Sequence, residues 1–132
     1  AEAVLVEFDP QVISYERLLK AFFQLHDPTT LNRQGPDEGD QYRSEIFTFS
    51  SAQADAARAA MADAQKAHSD KIVTKIEPSR SFYRAEAYHQ DFLERNPTHP
   101  YIVMNDLPKI DNLKRIFPNL YNPKPVLVGS TK

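Results

Sequence analysis

Apolar positions near the start of the chain change from a strand-like to a helix-like spacing. Val4, Val6 and Phe8 occupy alternate positions, which predicts a strand over residues 2–8. Behind Ser14 the apolar residues recur every three or four positions and form one stripe. A hydroxyl at that place is typical of a helix N-cap, so the spacing predicts a helix over residues 15–26.

A polar stretch and a second strand–helix pair follow. Residues 29–40 carry two of the three glycines of the chain, which predicts a bent, irregular loop. Residues 43–49 predict a strand. Ser50, with Gln53 three positions later, is typical of a capping box, and it opens an alanine-rich helix predicted over residues 52–68.

The second half of the chain contains more weakly patterned elements. We predict a strand over residues 71–77, then a helix over 81–95 that buries Phe82, Ala85, Tyr88, His89 and Phe92. Residues 101–104 predict a short extended run. Leu107, Ile110, Leu113 and Phe117 predict a last helix bounded by Pro108 and Pro118, and an irregular tail follows from residue 121.

This element order predicts an α+β fold. The strands are few and only half apolar, which favours a two-layer, ferredoxin-like sandwich with helices on one side of a small mixed sheet. The chain has 132 residues and ordinary globular composition, with 41% hydrophobic and 26% charged residues. We therefore expect residues 1–132 to form a single domain with a long irregular C-terminal segment.

Composition excludes several classes of function. The net charge of −2 predicts no electrostatic attraction to nucleic acid. No apolar run approaches the length of a membrane span, and no targeting signal is visible, so no membrane partner is expected. The chain has no cysteine. It therefore contains no disulfide, no thiolate metal ligand and no cysteine nucleophile.

Two groups of residues near the polar loop have chemical potential. Asp37, Glu38 and Asp40 lie beside glycines, as in a calcium loop, but their spacing does not match that pattern, and hydrogen-bonding carboxylates are favoured over a metal. Tyr42 follows the loop at the start of a strand. Its hydroxyl can point into a cleft as a hydrogen-bond donor, or its ring can simply pack with the hydroxyl in water.

Two histidines and two glutamates leave similar alternatives open. Glu86 and His89 are three positions apart on the predicted helix, a spacing that can ligate metal, although a lone histidine beside an apolar stripe more often packs. His26 ends a predicted helix, where the helix dipole alone favours it. From spacing alone, Glu2 is an ordinary terminal carboxylate.

Short motifs in the chain resemble the peptide-methionine sulfoxide reductase A family. They occur in the family's order over residues 1–97, and include Ala1-Glu2-Ala3-Val4, Phe8-Asp9-Pro10, His26-Asp27-Pro28, Asn32-Arg33-Gln34-Gly35, Gln41-Tyr42-Arg43-Ser44, Phe82-Tyr83, His89-Gln90 and Asn96-Pro97. Later runs, Pro100-Tyr101-Ile102-Val103 and Asp106-Leu107-Pro108-Lys109, resemble the tail of members that lack a C-terminal resolving cysteine.

The resemblance implies an enzyme that reduces the S epimer of methionine sulfoxide, free or in proteins, to methionine. A family cysteine attacks the sulfoxide sulfur, and thioredoxin or another thiol reduces the resulting sulfenic acid. Glu2 matches the family's acid that protonates the departing oxygen, and Tyr42 matches a tyrosine that donates to the same oxygen. Asp37 and His89 match residues that hold the substrate's main chain. No cofactor and no metal are implied.

One departure from the family pattern is large. The family's nucleophile lies in a Gly-Cys-Phe-Trp motif upstream of the position where this sequence starts, so the expected domain is N-terminally incomplete. The favoured explanation is a piece of a longer enzyme, which alone would be inactive. A separate complementing chain and a cysteine-free relative that binds methionine sulfoxide without turnover are the alternatives. The absence of targeting signals in these residues suggests a cytoplasmic location.

Overall fold

The structure, a computed structural model, describes residues 1–130 and has mixed α and β content. The chain divides into two compact units, Ala1–Ser81 and Phe82–Lys132. Each unit is described by itself. The first holds the small sheets and the two longest helices, and the second is mainly helical and irregular.

The first unit is built around a strand–helix–strand crossover. Helix α1 (Tyr15–Leu25) is followed by the two-residue strands β1 (Arg33–Gln34) and β2 (Asp37–Glu38), which pair antiparallel. Strand β3 (Glu45–Thr48), helix α2 (Ser51–Gln65) and strand β4 (Lys75–Pro78) come next. Strands β3 and β4 pair in parallel, with Ile46 beside Ile76, because the helix returns the chain to the same end of the sheet.

The core of this unit is the cluster that the helical stripe predicts. Leu19 and Phe23 of α1, Ile46 of β3, Ala57 of α2 and Ile72 form one buried group. Ala57 is fully buried, so α1 and α2 approach closely at that position. The predicted caps are also confirmed: the Ser14 and Ser50 hydroxyls accept hydrogen bonds from the third amide on, Arg17 and Gln53 respectively.

The predicted strand over residues 2–8 is wrong. The structure has no strand there, and Val4 and Val6 are 86% and 54% exposed. An alternating apolar pattern becomes a strand only when a neighbouring strand satisfies its backbone groups and one face is buried. In the described residues this stretch lies outside both sheets.

The predicted irregular loop contains a small hairpin. Strands β1 and β2 are joined at Gly35-Pro36, where Gly35 has φ +55°. Gly39, with φ +136°, follows β2 and leads into a 3₁₀ turn, Asp40–Tyr42. The two glycines therefore do mark bends, as expected, but the residues between them are ordered by backbone pairing.

Within residues 82–130, the second unit contains four helical elements. They are α3 (Phe92–Arg95), a π-helical stretch (Ile102–Asp106) that continues into α4 (Leu107–Ile116), and a 3₁₀ turn at Val128–Ser130. Asp91 has left-handed backbone, φ +54°, and its carboxylate accepts the amides of Val128 and Gly129, each at 2.9 Å. These bonds attach the C-terminal segment to the start of α3.

The helix predicted over residues 81–95 is present only at its end. Phe82 and Tyr88 of the predicted apolar stripe are 51% and 69% exposed, so the stripe is not buried within this unit. The Arg95 guanidinium donates hydrogen bonds to the carbonyls of Tyr88 and Gln90, at 2.6 and 2.9 Å, which backbone amides would satisfy in a helix. Since short helices depend on packing for most of their stability, the stripe alone does not form one.

The extended run predicted over residues 101–104 is helical instead. Ile102 is buried whereas Val103 and Met104 are exposed, which is the one-sided burial of a helix. Pro100 precedes this turn, and proline is favoured at the start of a helix. The last helix is confirmed from Leu107 to Ile116, with Pro108 inside its first turn. Within residues 1–130, no helix is both long and apolar enough to cross a membrane.

Candidate active site

Tyr42 ends the 3₁₀ turn that connects the hairpin to β3. Its amide donates to the Gly39 carbonyl at 3.1 Å, and the Arg43 amide and guanidinium donate to the Asp40 carbonyl at 3.2 and 2.9 Å. The Tyr42 side chain is half-buried. The turn therefore has a fixed backbone, and the tyrosine occupies its last position.

Asp37 lies in the hairpin just before that turn. It pairs with Gln34, and the Gly39 amide closes the hairpin by donating to the Asn32 carbonyl at 2.9 Å. Both hairpin strands contact the Asp40–Tyr42 turn. Asp37 and Tyr42 are therefore carried by two loops that touch.

Glu2 is held beside the same turn by its backbone. Its amide donates to the Gln41 carbonyl at 2.8 Å, one residue before Tyr42, and its side chain is exposed. Three of the four predicted site residues, Glu2, Asp37 and Tyr42, thus belong to one neighbourhood of the first unit.

His89 belongs to the second unit. It lies in a turn that precedes α3, with its amide donating to the Glu86 carbonyl at 3.0 Å, and its ring is exposed beside Tyr88. The predicted packing of His89 in a helix is therefore wrong, because that part of the chain is not helical. Glu86 is also exposed, and among residues 1–130 no group of three or more possible metal-binding side chains occurs.

A chain of hydrogen-bonded polar groups that sequence patterns did not identify begins two residues after the Asp40–Tyr42 turn, at Ser44. The Nε2 atom of His26 is 2.8 Å from the Ser44 hydroxyl, and that hydroxyl is 2.7 Å from the Thr74 hydroxyl. The other ring nitrogen of His26 bonds the Phe22 carbonyl. Burial lowers the pKa of His26 below its usual value, although the Phe22 carbonyl and the Asp27 carboxylate oppose that shift. One signal was available: Ser44 and Thr48 alternate with Ile46 on the inward face of a strand.

Glu45 is a second unusual polar residue. Its side chain is 2% exposed, its nearest cation is the Arg43 Nε atom at 3.5 Å, and neither carboxylate oxygen has a hydrogen bond within the described residues. Burial raises the pKa of this carboxyl, and the charge of Glu77 adds to the shift, while Arg43 and Lys75 oppose it. Glu45 follows Ser44 directly, so the start of β3 carries two buried polar side chains.

Comparison with known proteins gives a consistent result. A family model described as peptide methionine sulfoxide reductase matches residues 1–120. A protein of Mesorhizobium japonicum named peptide methionine sulfoxide reductase MsrA 2 is 52% identical over 98% of this chain and 68% of its own length. A Methanothermobacter thermautotrophicus protein named peptide methionine sulfoxide reductase MsrA is 54% identical over 74% of this chain and 59% of its own length.

Solved structures with related folds give the same result. Mxr1 from Saccharomyces cerevisiae in reduced form matches with a TM-score of 0.68 and 44% identity, over 70% of this chain and 51% of that chain. Methionine sulfoxide reductase A of Corynebacterium diphtheriae matches at 0.61 and 34%, over 70% and 49%. The chain thus spans about half the length of these structures and about two-thirds of its curated relatives. It belongs to the peptide methionine sulfoxide reductase family.

Proposed function

We propose that the whole protein is a peptide-methionine (S)-S-oxide reductase, which returns the S epimer of methionine sulfoxide, free or in proteins, to methionine. The observation that supports this most directly is the family match over residues 1–120, together with curated relatives that carry the reductase name at 52% and 54% identity. The binding-only alternative has no such support, since the relatives are named as reductases.

The proposed reaction needs a cysteine that is not among these 132 residues. A thiolate attacks the sulfoxide sulfur, and the oxygen takes up a proton. The protonated oxygen passes to the cysteine sulfur as the bonds from the methionine sulfur to the oxygen and to the cysteine break, so methionine leaves and the cysteine becomes a sulfenic acid. Two thiol groups, of thioredoxin or another reductant, then reduce the sulfenic acid to the thiol with release of water and are themselves oxidised to a disulfide. We propose that residues 1–132 form one domain of this family, a two-layer, ferredoxin-like sandwich, and that the cysteine lies upstream in the whole protein.

We assign Glu2 and Tyr42 the catalytic roles in this reaction. Glu2 is the proton donor to the departing oxygen, and Tyr42 donates a hydrogen bond to the same oxygen. The bond between the Glu2 amide and the Gln41 carbonyl supports this assignment, because it keeps both residues beside one turn. Asp37 and His89 are proposed to hold the main-chain polar groups of the substrate. For His89 the support is the motif match alone.

A cytoplasmic location fits this chemistry. The sulfenic acid must be reduced after every turnover, which requires a compartment that supplies thiols. The proposed partners are therefore a methionine sulfoxide substrate and a thiol reductant such as thioredoxin.

Single substitutions test the assignment in the whole protein with dithiothreitol as reductant. We expect Glu2→Gln and Tyr42→Phe each to lower kcat by about 10²-fold or more, as loss of a general acid or an oxyanion donor does. Glu7→Gln and Tyr121→Phe are matched controls, because both residues lie outside the motifs; Glu7 is exposed, Tyr121 is half-buried like Tyr42, and both variants should retain full rate. Equal rates for Tyr42→Phe and the unmutated protein would remove Tyr42 from the mechanism.

A further inference from the structure

The sharp corner after α1 joins the two loops of the candidate site to the core. This corner, residues 26–28, contains Pro28, whose side chain is fully buried. The Pro28 carbonyl accepts the Val73 amide at 2.8 Å, just before β4. The buried Pro28 ring and the backbone hydrogen bond to Val73 thus hold the corner against the core. The other two corner residues contact the site segments: His26 bonds Ser44, and Asp27 bonds Gln34.

The first contact runs from His26 to Ser44, two residues beyond the tyrosine turn. Because the Phe22 carbonyl only accepts hydrogen bonds, the Nδ1 atom of His26 carries the proton, and Nε2 of the neutral ring must accept from the Ser44 hydroxyl. The Ser44 oxygen then accepts from the Thr74 hydroxyl. Thr74 thus donates to Ser44, and Ser44 donates to His26. These two hydrogen bonds fix the side chain of Ser44, which lies two residues beyond Tyr42.

The second contact runs from Asp27 to the hairpin. The Asp27 amide donates to Gln34 Oε1 at 3.1 Å, and Gln34 Nε2 donates to the Asp27 carbonyl at 2.9 Å. The side-chain amide thus pairs with the backbone of residue 27 as a neighbouring strand would. Gln34 is the direct partner of Asp37 in the hairpin register, so this bond holds the loop that carries Asp37.

We propose that the 26–28 corner positions the candidate site: His26 sets the Tyr42 turn through Ser44, and Asp27 sets the Asp37 hairpin through Gln34. This inference rests on the proposed function, since Tyr42 and Asp37 act on substrate only in that reaction. His26, Ser44 and Gln34 are positioning residues without substrate contact. Small displacements of groups that act on a reacting oxygen lower rates strongly, which gives the corner its functional value.

Two substitutions separate the two contacts by amide hydrogen exchange on the full chain. Ser44→Ala removes the hydroxyl that faces His26, so the Tyr42 amide should exchange about tenfold faster and the Gly39 amide less than about twofold faster. Gln34→Ala should have the reverse pattern. Thr48→Val is the matched control, because it deletes a buried hydroxyl at the far end of the same strand. It should change the exchange rates of the Tyr42 and Gly39 amides no more than its effect on global stability accounts for.

The whole protein with the same substitutions provides the functional readout. Ser44→Ala and Gln34→Ala should each lower kcat/KM by about tenfold, and Thr48→Val by less than about twofold. If Ser44→Ala fails to fold, Thr74→Val against Thr74→Ser asks the same question, with the serine restoring both exchange and rate. Unchanged exchange at Tyr42 and Gly39, or changed exchange with unchanged kcat/KM, overturns the positioning role. No turnover by the unmutated protein refutes the proposed function itself and removes the role with it.

Discussion

At the scale of single residues, the first unit buries polar side chains around the start of β3 that the sequence pattern did not predict to be buried. His26, Ser44 and Thr74 form one hydrogen-bonded chain inside the first unit, whereas Glu45 is buried without hydrogen bonds in the described residues. Both arrangements make stability depend on pH, but with opposite signs, because one group is held neutral as a base and the other is disfavoured as an anion.

Mild acid should destabilise the protein through His26. Its folded pKa is below the usual 6.5, so the unfolded chain takes up this proton first, and stability is lost as pH falls from about 6.5 toward the folded pKa, by at most about 1.4 kcal/mol per pH unit. The nearby Asp27 charge opposes the shift, and His68 adds to it. Urea unfolding between pH 7.5 and 5 measures the slope.

A pair of variants isolates the contribution of His26. His26→Gln should flatten the slope in this window, whereas His68→Gln should leave most of it in place. A slope that persists in His26→Gln would assign the effect to another group.

Substitution of Glu45 should act in the opposite direction. The raised pKa means that its charge costs stability above the folded pKa, and that this cost is relieved as pH falls toward the usual 4.5. We expect Glu45→Gln to raise the free energy of unfolding by about 1 kcal/mol at pH 7 and by much less at pH 4. Denaturant midpoints at both pH values check this.

The control for Glu45 is Glu77, which lies on the paired strand two residues beyond Lys75, the register partner of Glu45. Glu77→Gln should give a smaller gain at pH 7, because Glu77 is exposed and acts on Glu45 only through its charge. A loss of stability in Glu45→Gln would show that the contact with Arg43 outweighs the cost of burial.

At the scale of elements, capped and well-packed segments could be predicted from sequence and unpacked ones could not. Helices α1 and α2 have serine caps and an apolar face that is buried, so pattern and structure agree. Residues 2–8 and 81–91 also have periodic apolar patterns, yet their apolar side chains are largely exposed. A periodic pattern predicts which face of an element is apolar, but tertiary packing determines whether another element buries that face.

The hairpin and turn depend on two glycines with different backbone requirements. Gly35 has φ +55°, which asparagine tolerates, and open space surrounds it. Gly39 combines φ +136° with ψ +159°, a region essentially restricted to glycine, and a Cβ there would meet the Gln41 side chain. We expect Gly39→Asn to cost about 1–3 kcal/mol of stability and Gly35→Asn under about 1 kcal/mol. Thermal or urea unfolding compares them, and equal costs would contradict this account of the turn.

At the scale of the whole molecule, the site was predicted by motifs more than by pattern. Tyr42 and Asp37 as isolated residues had bland alternatives, and only their order among other family motifs indicated a reductase. The positioning groups could not be predicted in the same way. The hydrogen bond from Ser44 to His26 spans 18 positions and the one from Thr74 to Ser44 spans 30, and such pairings exist only after the chain has folded.

The most direct test of the central claim is an epimer-resolved assay of the whole protein. The protein is incubated with dithiothreitol and an equal mixture of the S and R sulfoxide epimers of N-acetyl-L-methionine. The epimers that remain are then separated by chromatography. A reductase of this family should consume the S epimer completely and leave the R epimer intact. Loss of both epimers at equal rates, or of neither, would contradict the proposed function.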